Sequence, residues 1–178
     1  QILSDLGFDP VEGESHAVAV LRDQILWQAV LYGSPKAAEF ARNKFNELSS
    51  GASIHPDIKK SVLQTGAFRG NLDTFEWFTD RIKQAVSEHD RMNFLASLGC
   101  FSDPVLIEKT QQYLLTEVPD RNRFIPVAAL CQNPRAIPLM WRWYLSHRDE
   151  LEQSHPLLYE RVIASIVPVC GLERVDEV

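Results

Sequence analysis

The chain has 178 residues, a mass of 20.3 kDa and a formal net charge of −6, from 18 Lys and Arg against 24 Asp and Glu. This length suits one domain, and a composition of 45% hydrophobic and 24% charged residues is typical of a globular protein rather than a disordered or fibrous one. The acidic balance, without a run of Lys and Arg, argues against a nucleic-acid partner, and no apolar run is long enough to predict a membrane span in this segment.

Apolar residues recur at three- and four-residue spacing through almost the whole chain, and no stretch alternates as a half-buried strand would. The first long helix is predicted from about residue 14 to residue 33, with Val18, Leu21, Ile25, Ala29 and Val30 on its buried face. Glycine, proline and asparagine mark the helix breaks that follow, because each either ends a helix or restarts one. The breaks are Gly33, Ser34-Pro35, Gly51, Pro56-Asp57, Gly70, Asn71, Gly99, Asp103-Pro104 and Asn133-Pro134.

These signals predict an all-α fold of about nine helices. Short loops between helices of this length favour stacked antiparallel helix pairs, and the similar lengths of residues 14–50 and 55–87 favour a HEAT- or armadillo-like superhelical domain. A compact irregular bundle stays open, because no motif recurs at a constant period. Residues 1–178 are predicted to be a single helical domain, and residues 172–178 resemble the start of another helix, which favours a fragment of a longer chain.

The sequence contains no pattern that predicts a catalytic or metal-binding residue. It lacks H-E-x-x-H, the helix motif that places two imidazoles toward zinc, and no two of its five histidines lie three or four residues apart. The nucleophile-elbow and phosphate-loop patterns are also missing. His89 is predicted to lie on a solvated surface, and a small hydrolase that uses His89 or Cys131 is the least favoured interpretation.

Cysteine usage favours a reducing compartment and hence the cytoplasm. Cys100, Cys131 and Cys170 are odd in number, far apart in sequence and outside any C-x-x-C pair. Each is therefore predicted to be a small buried apolar residue rather than half of a disulfide framework.

Arginines and tryptophans are the remaining candidates for ligand contact. Trp141 has apolar partners at helical spacing and is predicted to lie in the core, while the other three tryptophans suit helix contacts. An arginine fork matches a carboxylate, but solvation or helix capping is favoured for each single arginine. Arg69 and Arg135, which lie near helix ends, are the two residues predicted to contact a peptide. The five candidate arginines are Arg22, Arg69, Arg135, Arg142 and Arg148.

Five stretches, in order, form a pattern of turn residues. They are Leu6-Gly7-Phe8-Asp9-Pro10 with Gly13-Glu14 and Leu21-Arg22, Ile54-His55-Pro56-Asp57-Ile58, Gly66-Ala67-Phe68-Arg69-Gly70, Leu95 to Cys100 with Ser102-Asp103-Pro104, and Asn133-Pro134 to Trp141. Together they resemble the helical C-terminal domain of zinc aminopeptidases of the aminopeptidase N and puromycin-sensitive aminopeptidase type, which are gluzincin metallopeptidases. The resemblance covers about residues 6–178. Lys59, Pro119, Asn122 and His147-Arg148 depart from the family's pattern.

The resemblance implies that this chain is part of a larger enzyme that removes N-terminal residues from peptides. The zinc and the exopeptidase motif would belong to an upstream catalytic domain of the same chain, so the segment itself would hold no cofactor. Its implied role is to cover the active site and to help bind or size-select the peptide. The alternative is a free-standing α-helical repeat scaffold that binds a protein partner through its concave face.

Overall fold

The structure is a computed structural model that describes residues 2–172 and 174, without the side chains of Ile2 and Ser4. These residues form ten α-helices and no strand, which confirms the all-α prediction. Nine of the helices are longer than ten residues, and the short α1 is the one that periodicity did not predict. The helices are α1 (Ile2–Leu6), α2 (His16–Leu31), α3 (Pro35–Ser49), α4 (Pro56–Phe68), α5 (Leu72–Gln84), α6 (Glu88–Leu98), α7 (Pro104–Thr116), α8 (Asp120–Gln132), α9 (Ile137–Glu152) and α10 (Pro156–Cys170).

Most helices begin beside a residue whose side chain accepts an amide hydrogen of the first turn, which satisfies a donor that the helix itself leaves free. Ser34 does so ahead of Pro35 at the start of α3, and Asn71 forms a reciprocal capping box with Thr74 at the start of α5. His55 and His155 act in the same way, since Nδ1 of each accepts the amide hydrogen two residues ahead, at 3.3 Å. Both histidines thus have structural roles at helix starts.

The chain divides in sequence between Arg69 and Gly70 into two compact units, called unit 1 and unit 2 below. In unit 1, α2 packs against α1, α3 and α4, and α3 packs against α4. The apolar core of this unit consists of Leu3, Leu26, Val30, Ala37, Ala41, Ile58 and Val62.

The buried face of α2 matches the predicted one only in part: Val30 is buried, and Ile25 and Ala29 pack against the core of unit 1. Ala19, Arg22, Leu26 and Val30 are buried, whereas Leu21 is 42% exposed. Apolar residues occur on several faces of α2, so its periodicity does not single out one face. Tertiary contact with α3 and α4 decides which side is covered.

Helices α3 and α4 approach closely at Gly66. A methyl group built on Gly66 would lie 2.2 Å from Cδ2 of Phe45 on α3, well inside van der Waals contact. Gly66 is therefore needed for its missing side chain, which lets the Phe45 ring lie against the backbone of α4.

Unit 2 is centred on α8, which packs against α6, α7, α9 and α10. Phe75, Phe78, Phe94 and Phe101 form an aromatic cluster, with centroid distances of 5.6 Å for Phe75–Phe101 and 6.0 Å for Phe78–Phe101. The apolar spacing of Leu72, Phe75, Phe78, Ile82 and Val86 predicts that these residues form the buried face of α5. Phe75, Phe78 and Ile82 are buried, whereas Leu72 is exposed in the first turn and Val86 lies beyond the end of the helix and is fully exposed.

Buried Asn133 joins two turns of unit 2. Its Nδ2 donates to the carbonyl oxygens of Gly99 at 3.0 Å and Phe101 at 2.7 Å, and its Oδ1 accepts the amide hydrogen of Arg135. The sequence suggests that Asn133 directly precedes the next helix. In the structure a turn separates Asn133 from the start of α9 at Ile137. Asn133 instead fixes the connection from α6 to α7 against the end of α8.

Stacked helix pairs are thus present within each unit. In unit 2, α8 contacts both α6 and α10, so that alternate helices pack side by side, which is typical of helical repeats. The predicted superhelical curvature of the whole chain stays a prediction. In the part of the chain that the structure describes, no helix has both the length and the apolar character needed to cross a membrane.

Candidate functional site

The described residues contain no group of three or more His, Cys, Asp and Glu side chains placed to hold a metal ion. His89 lies on the surface of α6, where its Nε2 is 3.2 Å from Nδ2 of Asn93. Cys131, the other residue of the hydrolase interpretation, is buried on α8 against Cys170. The hydrogen bonds of His89 and Cys131 thus lead to Asn93 and Cys170 and do not join the two residues to each other.

A groove at one end of α3 and α4 contains the first predicted peptide-contact residue, Arg69. The groove has a volume of about 490 Å³ and lies entirely within unit 1. Arg69 caps the C-terminus of α4, and Arg42 is exposed on the outer side of α3. The complete lining is Pro35, Ala38, Glu39, Arg42 and Arg69.

The chemistry of this groove, called the α3–α4 groove below, suits an extended peptide. Two guanidinium groups supply several N–H donors for carbonyl or carboxylate oxygens, and the Glu39 carboxylate supplies an acceptor for amide hydrogens. Pro35 and Ala38 add a small apolar surface. Sequence reasoning selected Arg69 from its position near a helix end but did not connect it with Arg42 or Glu39.

Arg135, the second predicted peptide-contact residue, is exposed in the turn between α8 and α9. Its backbone amide is held by Asn133 at 3.0 Å, which fixes the turn. The Arg135 side chain does not line the α3–α4 groove. Its contact with a peptide stays a prediction.

Arg22, another of the five candidate arginines, is buried in the protein interior. It is 1% exposed, and its guanidinium donates to both carboxylate oxygens of Glu14 and to the carbonyl oxygens of Leu6 and Gly7, each at 3.2 Å. The hydrogen bonds between the two charged groups raise the pKa of Arg22 and lower the pKa of Glu14, although burial opposes both shifts. Arg22 therefore anchors the segment before α2, and its burial keeps the guanidinium out of reach of a peptide.

A second groove, of about 240 Å³, lies between α7 and α9 in unit 2 and is called the α7–α9 groove. Arg142 and His147 of α9 and Gln111 of α7 bring donors to it. Trp143 is 6% exposed, and none of the residues that the structure describes accepts a hydrogen bond from its buried indole Nε1. The lining is Glu108, Gln111, Leu139, Arg142, Trp143, Ser146 and His147.

Sequence reasoning placed Trp143 at a helix contact and did not identify this groove. His147 stacks on Trp143 at a centroid distance of 5.6 Å, and its Nδ1 lies 2.9 Å from the carbonyl oxygen of Trp143. The spacing of four residues between the two rings is a signal that they share one helix face. That α7 supplies the opposite wall depends on tertiary packing, for which the sequence gives no local signal.

Comparison with known proteins gives a consistent result over the whole chain. Residues 1–178 match the family model described as the ERAP1-like C-terminal domain. The chain is 29% identical over 152 residues to the alanine/arginine aminopeptidase of Saccharomyces cerevisiae. This alignment covers 84% of this chain and 18% of the relative. It is 24% identical to aminopeptidase 2 of Candida albicans, covering 84% of this chain and 17% of the relative. With aminopeptidase M1 of Arabidopsis thaliana the identity is 22%, covering 97% of this chain and 21% of the relative. The chain thus spans about a fifth of the length of these relatives.

Proposed function

This chain belongs to the family of ERAP1-like C-terminal domains, and from that premise we propose that it works as the helical C-terminal domain of a zinc aminopeptidase. In the proposed parent enzyme, an upstream catalytic domain of the same chain removes N-terminal residues from peptides. The helical domain covers the active site and helps to bind or size-select the peptide, and it contributes no catalytic residue. The observation that carries the proposal is the family match over residues 1–178, together with relatives that are all named aminopeptidases.

The zinc of the proposed parent has no place among the residues described. No cluster of ligating side chains with three or more members occurs in residues 2–172 and 174. A catalytic zinc needs three protein ligands, so we assign it to the upstream catalytic domain of the proposed parent. What this chain offers is a binding surface.

The α3–α4 groove is the part of that surface that we assign to peptide contact. Its two guanidinium groups attract the backbone carbonyls and the carboxylate of a peptide, and the exposed positions of both side chains leave their donors accessible to a ligand. A contact far from the scissile bond lowers KM for peptides long enough to reach it and leaves short substrates unaffected. Length-dependent affinity is therefore the expected signature.

The test compares long and short substrates in the full-length parent enzyme. Replacing Arg69 and Arg135 by alanine, singly and together, should raise KM for a long peptide by about fivefold per contact, which corresponds to about 1 kcal/mol. Cleavage of a dipeptide should be unchanged. Arg121→Ala, at an exposed position on α8 that lines neither groove, is the matched control for loss of a surface charge.

Each outcome decides one part of the proposal. If both variants impair long and short substrates equally, peptide contact by these arginines is wrong. If Arg69→Ala alone shows the length-dependent effect, the α3–α4 groove is the contact site and Arg135 is removed from the proposal. The free-standing scaffold stays the alternative, and the aminopeptidase names of the relatives are the reason that it is not preferred.

A further inference from the structure

Two of the three cysteines meet in the interior of unit 2. Cys131 lies in the last turn of α8 and is 3% exposed, and Cys170 is the last residue of α10 and is 6% exposed. Their Sγ atoms lie 3.8 Å apart and share a thiol hydrogen bond. The residues are 39 positions apart in sequence, so packing of α10 on α8 brings them together.

The surrounding contacts hold this arrangement in place. Gly171, which follows Cys170, donates its amide hydrogen to the carbonyl oxygen of Val167 at 3.1 Å. A methyl group built on Gly171 would lie 2.7 Å from the Trp141 ring, so the chain passes close to that ring. The end of α10 is therefore fixed against α9 and α8, and the two sulfur atoms face one another as a consequence of the fold.

From this geometry we propose that Cys131 and Cys170 form a reversible disulfide that links α8 to α10 when the protein meets hydrogen peroxide. A disulfide bond is about 2.05 Å long, so the sulfur atoms must approach by less than 2 Å from their present separation. Rotation about the side-chain bonds and a small helix shift supply such a movement. The proposal concerns unit 2 alone and is independent of the proposed peptidase role.

The chemistry proceeds in two steps. The Cys170 thiolate attacks one oxygen of hydrogen peroxide, the O–O bond breaks, and with one proton the products are a sulfenic acid and water. The Cys131 sulfur then attacks the Cys170 sulfur, the S–O bond breaks, and a second water leaves as the S–S bond forms. Two thiols lose two electrons and two protons in total, and one peroxide becomes two waters. A dithiol reductant reverses the reaction by thiol–disulfide exchange.

Cys170 is the better first nucleophile of the pair. The hydrogen bond that it shares with Cys131 lowers the pKa of Cys170, although burial acts in the opposite direction. The same interaction and burial raise the pKa of Cys131, which keeps that thiol protonated until the second step. The slight exposure of both sulfurs predicts slow oxidation, over minutes to hours rather than seconds.

Tryptic mass spectrometry of the 178-residue chain tests the proposal directly. Cleavage after Arg and Lys places Cys131 in peptide 124–135, Cys170 in peptide 162–174 and Cys100 in peptide 92–109. After treatment with peroxide and alkylation of the remaining thiols, peptides 124–135 and 162–174 should be joined and should separate on reduction. Peptide 92–109 should stay alkylated.

Three single variants and a thermal melt complete the experiment. Cys131→Ser and Cys170→Ser should lose the cross-link, and Cys100→Ser, the matched control at another buried cysteine, should keep it. Because a closed loop of this length restricts the unfolded chain, oxidation should raise the unfolding temperature of wild type and Cys100→Ser by roughly 5–10 °C, and dithiothreitol should reverse the rise.

Other products overturn the proposal. Exclusive formation of sulfinic acid at Cys170, a link from Cys100, a link between chains, or no reaction in peroxide would each show that Cys131 and Cys170 do not form the proposed disulfide. The measurement on wild type decides this by itself, so a serine variant that fails to fold does not leave the question open. None of these results bears on the peptide-contact experiment, because that test uses different residues and a different readout.

Discussion

Replacing Gly66 by alanine tests the packing of unit 1 at one position. Gly66 lies inside α4, and the Phe45 ring of α3 occupies the space that a side chain would need. In an isolated helix the substitution is favourable, because alanine has the higher helix propensity. The structure predicts the opposite sign in this protein.

The magnitude follows from two opposing terms. Helix propensity favours alanine by about 1 kcal/mol. Against this, the new methyl group would lie 2.2, 2.4 and 2.6 Å from three atoms of the Phe45 ring, where ordinary contact begins at 3.4 Å. Overpacking of this kind costs about 1–3 kcal/mol, and three simultaneous overlaps place the cost near the upper end. We therefore expect Gly66→Ala to lower the free energy of unfolding by about 2 kcal/mol.

A double-mutant cycle in urea isolates the cause. With Phe45 shortened to alanine the overlap disappears, so adding Gly66→Ala in that background should stabilise the protein by about 1 kcal/mol, a coupling of about 3 kcal/mol. Phe45→Leu gives the same comparison in a milder form if the alanine variant is unstable. Gly99→Ala should cost more than Gly66→Ala, because backbone atoms of α8 lie 2.7 and 2.8 Å from its new methyl group and cannot rotate away. Stabilisation by Gly66→Ala in the wild-type background, or a coupling below about 0.5 kcal/mol, would refute the reasoning.

Two further predictions concern buried polar groups. Burial raises the pKa of Asp23, whose Oδ1 accepts the amide hydrogen of Ser61, so the folded state retains the proton more tightly and stability falls as pH rises between the unfolded and folded pKa. Asp23→Asn keeps the hydrogen-bond acceptor without the charge. As pH rises from acid to neutral, the urea midpoint of this variant should therefore rise relative to that of wild type. Parallel pH profiles of the two proteins would contradict the prediction. Asn133→Ala removes both donors to the carbonyl oxygens of Gly99 and Phe101, so it should lower the free energy of unfolding by about 2–3 kcal/mol, measured by chemical denaturation. A decrease of less than about 0.5 kcal/mol would count against this prediction.

Helix positions could be predicted from the sequence because their signals are local. A capping side chain and its partner amide are two or three residues apart, so Ser34, Asn71 and Asp103 mark the starts of α3, α5 and α7 without knowledge of the fold. The buried face of an amphipathic helix such as α5 is likewise largely encoded in its own residues. The short α1 has neither a long periodic pattern nor a cap signal, so the sequence does not predict it.

Features that depend on the meeting of distant residues could not be predicted in the same way. The α3–α4 groove joins Arg42 to Arg69, and the α7–α9 groove joins Gln111 to Trp143, across separate helices. The contact between Cys131 and Cys170 has no local sequence signal either, because the two residues are 39 positions apart. Composition suggested three buried cysteines, which is correct, but burial alone does not tell which of them are neighbours.

Arg22 shows how a resemblance in sequence can rest on folding rather than on reaction chemistry. Leu6-Gly7 and Glu14, like Arg22 itself, are among the residues that carry the family resemblance, and in the structure the Arg22 side chain binds Leu6, Gly7 and Glu14. Gly7 has a φ of 74°, a left-handed conformation that glycine adopts without strain, and this turn presents the two carbonyl oxygens to the guanidinium. A neutral side chain at position 22 would leave both carbonyls and the Glu14 carboxylate without their donor. The spacing of these residues therefore encodes how the segment before α2 is held against that helix, so this part of the family pattern reflects folding.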